Sequence, residues 1–212
     1  FSLMFAFSSA VFAADLPSVK TVQAELAQVK KAEQNDANNA IAKNYEDVLG
    51  LLDKLEKQKA DTANLRKVID GAPDKLKASQ ESVERLKKRA KTSEQLQSEL
   101  DKLSATDLQT ELASVQKSLA ETQENLTALN TELSSQKSVS ERVQTTLTSN
   151  ATRTQEINTA LAAVDIEPSL KLKLEVEQEY LAANSAHSQL ALAANDELSA
   201  LYTSQVDEKT LA

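Results

Sequence analysis

The sequence predicts an all-α protein built as elongated antiparallel helical hairpins, a coiled-coil-like helical bundle. The first observation is a heptad register that holds from Leu108 to Val164. Its a positions are Leu112, Leu119, Leu126, Leu133, Ser140, Leu147, Thr154 and Leu161. Its d positions are Leu108, Val115, Thr122, Leu129, Gln136, Val143, Asn150, Ile157 and Val164. Twelve of these seventeen positions are apolar and none is charged, so each helix offers one narrow oily seam to a neighbouring helix. The second observation is where the aromatic residues lie. All four Phe and the only Met fall within the first twelve residues, and beyond them only Tyr45, Tyr180 and Tyr202 are aromatic. A compact core usually relies on large aromatic side chains; here Leu, Val, Ile and Ala must pack along seams. The third observation is the absence of strand-like alternation anywhere in the chain.

Residues 1–13, FSLMFAFSSAVFA, have the composition of a secretory h-region with a small residue before Ala14 and Asp15. The segment lacks a positive n-region, so it reads as a partial signal peptide. About 13 apolar residues are too few for a membrane span, which needs ~20. Residues 14–212 are then expected to be an exported, periplasmic α-helical coiled-coil domain. The chain has no Cys, so no disulfide supports it.

Pro17 and Ser18 open a helix predicted over about 17–33, with Val19, Val22, Leu26 and Val29 on one face. The polar run Glu33 to Asn39 ends it. A second helix, about 40–70, carries Ile41, Tyr45, Val48, Leu52 and Leu55, and Gly50 inside it should weaken it by about 1 kcal/mol relative to Ala. Asp70-Gly71-Ala72-Pro73 predicts a stop and restart, with Gly at the left-handed cap and Pro in the next first turn. A third helix, about 73–91, follows. Thr92 with Gln95, and Thr106 with Gln109, have capping-box spacing and predict helices over about 93–103 and 106–136. Ser138 with Glu141 has the same spacing and predicts a hairpin turn into a helix over about 139–164. One unbroken helix of about 57 residues, roughly 85 Å long, is the alternative. Pro168 starts the last helix, about 168–208, with Leu170, Leu174, Leu181, Leu198 and Leu201.

Catalytic chemistry finds no residues to carry it. A thiol nucleophile is excluded, and His187 is the only His, so a Ser–His pair has one isolated candidate on a helix. No His pair or Glu-x-x-His exists to hold a metal. Two Gly in the whole chain cannot form a phosphate-cradling loop. The chain is therefore not expected to be an enzyme, and no cofactor or metal is expected. A net charge of −8 and the lack of stacking aromatics exclude nucleic acid. The one local charge excess is Arg85, Lys87, Lys88, Arg89 and Lys91. It reads as cations at the carbonyl end of a helix; contact with an anionic surface such as phospholipid is the alternative.

The order of breaks carries a resemblance. Leu16-Pro17-Ser18 after an export segment, G-A-P-D-K at Gly71–Lys75, D-L-Q-T-E-L at Asp107–Leu112 and S-E-R-V-Q at Ser140–Gln144 are similar to the large mechanosensitive channels of the MscS superfamily. The likeness is to the potassium-dependent MscK (KefA) type, over most of residues 14–212. The resemblance implies the N-terminal periplasmic segment, called the porin domain, of a bacterial inner-membrane ion channel. It implies a homo-oligomer that protects against hypo-osmotic shock, whose pore lies downstream and whose gating or assembly this segment modulates. The partners implied are other subunits, the channel's own transmembrane region and inner-membrane lipid. Relatives commonly carry Pro where Ser140 stands, which implies a turn there. A free-standing periplasmic coiled-coil adaptor or cell-wall enzyme regulator is the competing class.

Overall fold

Ser18 accepts a hydrogen bond from the Thr21 amide at 3.1 Å and so caps the first helix, satisfying one of its orphan donors. From there the computed structural model, which describes residues 16–32 and 35–211, is helical throughout. The helices are α1 (Val19–Lys31), α2 (Asp36–Arg89), α3 (Ser93–Leu100), α4 (Ala105–Lys137), α5 (Val139–Leu161), α6 (Pro168–Ala193) and α7 (Asn195–Leu211). No strand occurs among the described residues. Residues 1–13, read as a partial signal peptide, lie outside them.

Local chemistry sets most boundaries. Asn35 accepts from the Asn38 amide and starts α2 several residues before Ala40. Thr92 and Gln95 form a reciprocal capping box at α3. Helix α4 is capped by Ser104, whose Oγ accepts from the Asp107 amide at 3.2 Å, rather than by Thr106. Pro168 is the first residue of α6, where its missing N–H costs nothing.

Two predicted breaks are corrected. Asp70 to Pro73 does not end a helix: α2 runs from Asp36 to Arg89 with Pro73 inside it, and neither Gly has a positive φ. The reason is tertiary. Ala72 is fully buried against Ala194, Leu198 and Leu201, and that packing outweighs an interior Pro penalty of ~3 kcal/mol. Nor does the chain reverse at Ser138. That residue is a single interruption with φ −96° and ψ 1°, and its hydroxyl turns back to the Ser135 carbonyl instead of capping α5. In an antiparallel pair the two residue numbers keep a constant sum. Asn150 bonded to Ser185 gives 335 and Asn158 bonded to Gln178 gives 336, and α4 packs on α7 rather than folding back along α5, so α4 and α5 follow one antiparallel line. Leu133 and Val143 are then about 15 Å apart along a helix, out of disulfide reach.

The chain forms two units. The first comprises the described residues through Gln58 with Thr152–Ala183. In it Lys30 pairs with Glu46 at 2.7 Å across the α1–α2 hairpin. Val22, Val48 and Val176 form one buried cluster; Ile157, Leu174 and Leu181 form another. The second unit comprises Lys59–Ala151 with the described residues from Asn184. Here α4 packs on α7, and Ala72, Ala194, Leu198 and Leu201 make the core.

Gly50 is exposed, helical in φ, and a Cβ there would meet nothing within 4 Å. Gly50→Ala is therefore expected to stabilise the protein by about 0.5–1 kcal/mol, chiefly by restricting the unfolded chain. Urea unfolding checks this; a loss of stability would mean the helix is not regular at Gly50.

Candidate interaction surface

The heptad seam is the feature from which a functional surface can be built, and the structure divides it. Val143 and Ile157 are buried, and Leu126, Leu129, Leu133, Leu147 and Leu161 are half-buried. The antiparallel register puts Leu126 to Leu133 level with residues 202–209, on the part of α4 that meets α7. Before them the seam is open: Leu108 is 38%, Leu112 57%, Val115 54% and Leu119 55% exposed. Val164 is 96% exposed beyond the end of α5 and lies in no seam. The short helix α3 and the turn after it add exposed Leu96, Leu100 and Leu103. Contiguous apolar exposure of this kind marks contact surfaces, whereas scattered apolar residues do not.

What the open stretch can do follows from its flanks. On either side of Leu112 and Val115 stand Gln109, Glu111, Gln116 and Ser118. Only one of these four is charged, so a second apolar helix could lie there without desolvating a row of ions. A shallow groove lies elsewhere, between Val29, Asn38, Ala42 and Glu46, and is open and mostly polar. Among the described residues no cluster of His, Cys, Asp and Glu is arranged to hold a metal. Residues 25–212 match the family model of the mechanosensitive ion channel porin domain. The chain belongs to that family. No curated protein and no solved structure matches it.

No helix among the described residues of this porin domain is long and apolar enough to cross a membrane. Its basic run ends α2. Arg85, Lys87, Lys88, Arg89 and Lys91 are all exposed, with Lys87 bonded to Glu84 at 3.2 Å and Lys91 to Glu99 at 2.5 Å. Lys87, Lys88 and Arg89 fill the last turn, where cations favourably meet the helix carbonyls.

Sequence reasoning missed the polar pairs that lock helices together. Arg153 donates through Nε and Nη2 to both oxygens of Glu177, at 2.7 and 2.9 Å, and through Nη1 to Glu156 at 2.8 Å. The hydrogen bonds it donates to Glu177 first, and then to Glu156, raise the guanidinium pKa further above its usual value. Lys173 bonds Asp47 at 2.6 Å and Asn44 bonds Ser169 at 3.0 Å. His187 is half-buried and shares a 3.1 Å hydrogen bond with Thr62, so it is a packing residue. In the sequence each of these residues reads as one more polar or charged position on a helix; which helix answers it is not written locally.

Glu167 is the most informative of the missed residues. Its carboxylate accepts from the Ser169 and Leu170 amides, each at 2.9 Å, and from the Ser169 hydroxyl, so it caps α6 in place of a Ser or Asp. Burial raises its pKa, but the hydrogen bonds from Ser169 and Leu170 outweigh that and hold it below the usual value of 4.5. A depressed folded-state pKa gives stability that is present above the unfolded value and lost as pH falls through the folded one. The stability advantage of the native chain over Glu167→Gln should therefore shrink as pH drops from about 6 to 3. Urea unfolding across that range checks it; a constant difference would remove the carboxylate's role.

Proposed function

We propose that this porin domain is the periplasmic helical part of an MscK/KefA-like mechanosensitive channel and modulates its gating or assembly during hypo-osmotic shock. It acts as an interaction module, and the pore belongs to other parts of the channel protein. The observation that carries this reading is the open seam Leu108–Leu119 within a domain of the channel family. A face with heptad spacing and a single flanking charge is built to receive a helix, and the partner proposed is a neighbouring subunit of the same channel. The physical route is differential contact. A domain outside the pore shifts opening only by touching closed and open states unequally. A difference of about 1.4 kcal/mol changes the open-to-closed ratio tenfold.

The test is patch-clamp recording of the full-length channel with Leu112→Lys and Val115→Lys together. These side chains are exposed in the domain itself, so the domain should still fold, while the seam can no longer accept an apolar helix. The expected result is a shifted tension threshold or altered inactivation, or loss of assembled channel. Tension curves, kinetics and assembly all identical to those of the parent channel would sink the reading.

A further inference from the structure

Within the second unit, an interior proline and two helix interruptions fall at one height. Ser79 bonds Ser204 and Thr62 bonds His187, both at a sequence offset of 125, so α2 runs parallel to α6 and α7 in a fixed register. That register sets Gly71–Pro73 beside residues 196–198, and Ala72 does pack against Ala194, Leu198 and Leu201. The antiparallel register, with a sum of 335 at Asn150 and Ser185, sets Ser138 beside residue 197. Helices α6 and α7 are separated at Ala194. The proline of α2 and the interruptions at Ser138 and Ala194 thus fall within about one helical turn of each other.

Coincidence is what gives these irregularities a consequence. An interior Pro removes one backbone hydrogen bond and is a common site of helix bending. A weak point in one helix of a packed set is held straight by continuous neighbours. Three weak points at one height leave no neighbour of full stiffness to resist. The layer is also thinly filled and incompletely satisfied. Its core includes Ala72 and Ala194. Gln136 Oε1 and Asn195 Oδ1, both close to the interruptions, are buried with no hydrogen-bond partner among the described residues. Unpaired buried oxygens lower the advantage of one arrangement over its alternatives.

We propose that this layer is a hinge built into the unit. On one side lie residues 59–70, 139–151 and 184–193; on the other lie residues 74–137 and 195–211, which carry the open seam of α4. Bending at the layer swings that seam while the packing on each side is kept. The hinge is independent of what the seam binds.

Pro73→Ala tests it, because Ala restores the missing donor and suits a helix. The chain has no Cys, so Lys59→Cys and Glu84→Cys, both at exposed positions of α2, accept spin labels cleanly. The labels bracket the layer and span roughly 37 Å along the helix. Electron–electron distance measurements should give a broad distribution that Pro73→Ala narrows. Hydrogen exchange should slow several-fold at residues 139–142 and 195–198, on helices that do not carry the substitution, and stay unchanged at 153–160. An unchanged distance distribution would overturn the hinge. So would slowing confined to α2, which would mean three unrelated irregularities, or uniform slowing that includes 153–160, which would mean general stabilisation.

Discussion

Ile157→Ala is expected to lower the unfolding free energy by about 2–4 kcal/mol, while Leu112→Ala should change it by less than about 0.5 kcal/mol. The two residues occupy the same seam. Ile157 is 0% exposed and packs with Leu174 and Leu181, flanked by half-buried Leu161, Ile166 and Tyr180. Truncating it removes buried methyl groups and leaves a cavity between two helices. Leu112 is 57% exposed, so its truncation forfeits little that the folded chain had gained. Urea unfolding of both variants at low protein concentration measures the contrast. Equal losses would mean that Leu112 is covered in solution and that the open seam does not exist.

Ala72→Leu should cost about 1–3 kcal/mol, through overpacking where α2 meets α7. Ala72 has no exposed surface and touches Ala194, Leu198 and Leu201, so three added carbons have no space without moving a helix. Ala78→Leu, at an exposed position of the same helix, should stay within roughly 0.5 kcal/mol. If Ala72 sat in a solvated turn, as the Gly-Ala-Pro signal predicts, the two substitutions would behave alike. Thermal or urea unfolding of the pair therefore decides between an inter-helix turn and a continuous α2.

Helix content and the heptad phase were legible because they are local properties, written every three or four residues. Val143 and Ile157 stand at d positions and are buried. What is not local was lost. Gly71 and Pro73 are strong helix breakers in isolation, and nothing near them discloses that Ala72 meets a helix some 125 residues later. The Ser138–Glu141 spacing is that of a capping box, but the hydroxyl had an equally near acceptor in the Ser135 carbonyl and took it. The register itself held the clue, since it keeps one phase through Ser138, as a continuous antiparallel line requires. At Leu108–Leu119 the pattern announces packing, and the face stands open. Periodicity reports that a face is apolar without reporting what covers it. The polar locks, Arg153 with Glu177 and Lys173 with Asp47, resemble ordinary solvated charges until their partners are placed.

The offset of 125 residues between α2 and its parallel partners has a bearing on how the chain reaches its fold. Helical proteins ordinarily fold fast because their contacts are local, but this interface joins residues separated by more than half of the chain. The α5–α6 hairpin closes over a short connection and can form early, whereas α2 must wait until residues beyond Pro168 exist to receive it. Search and loop closure, rather than helix formation, then set the pace. During that wait an apolar stripe laid out on a finished helix would invite wrong partners. Gly50, Gly71 and Pro73 lower the intrinsic helicity of α2, so less of that stripe is presented before its proper neighbour is there.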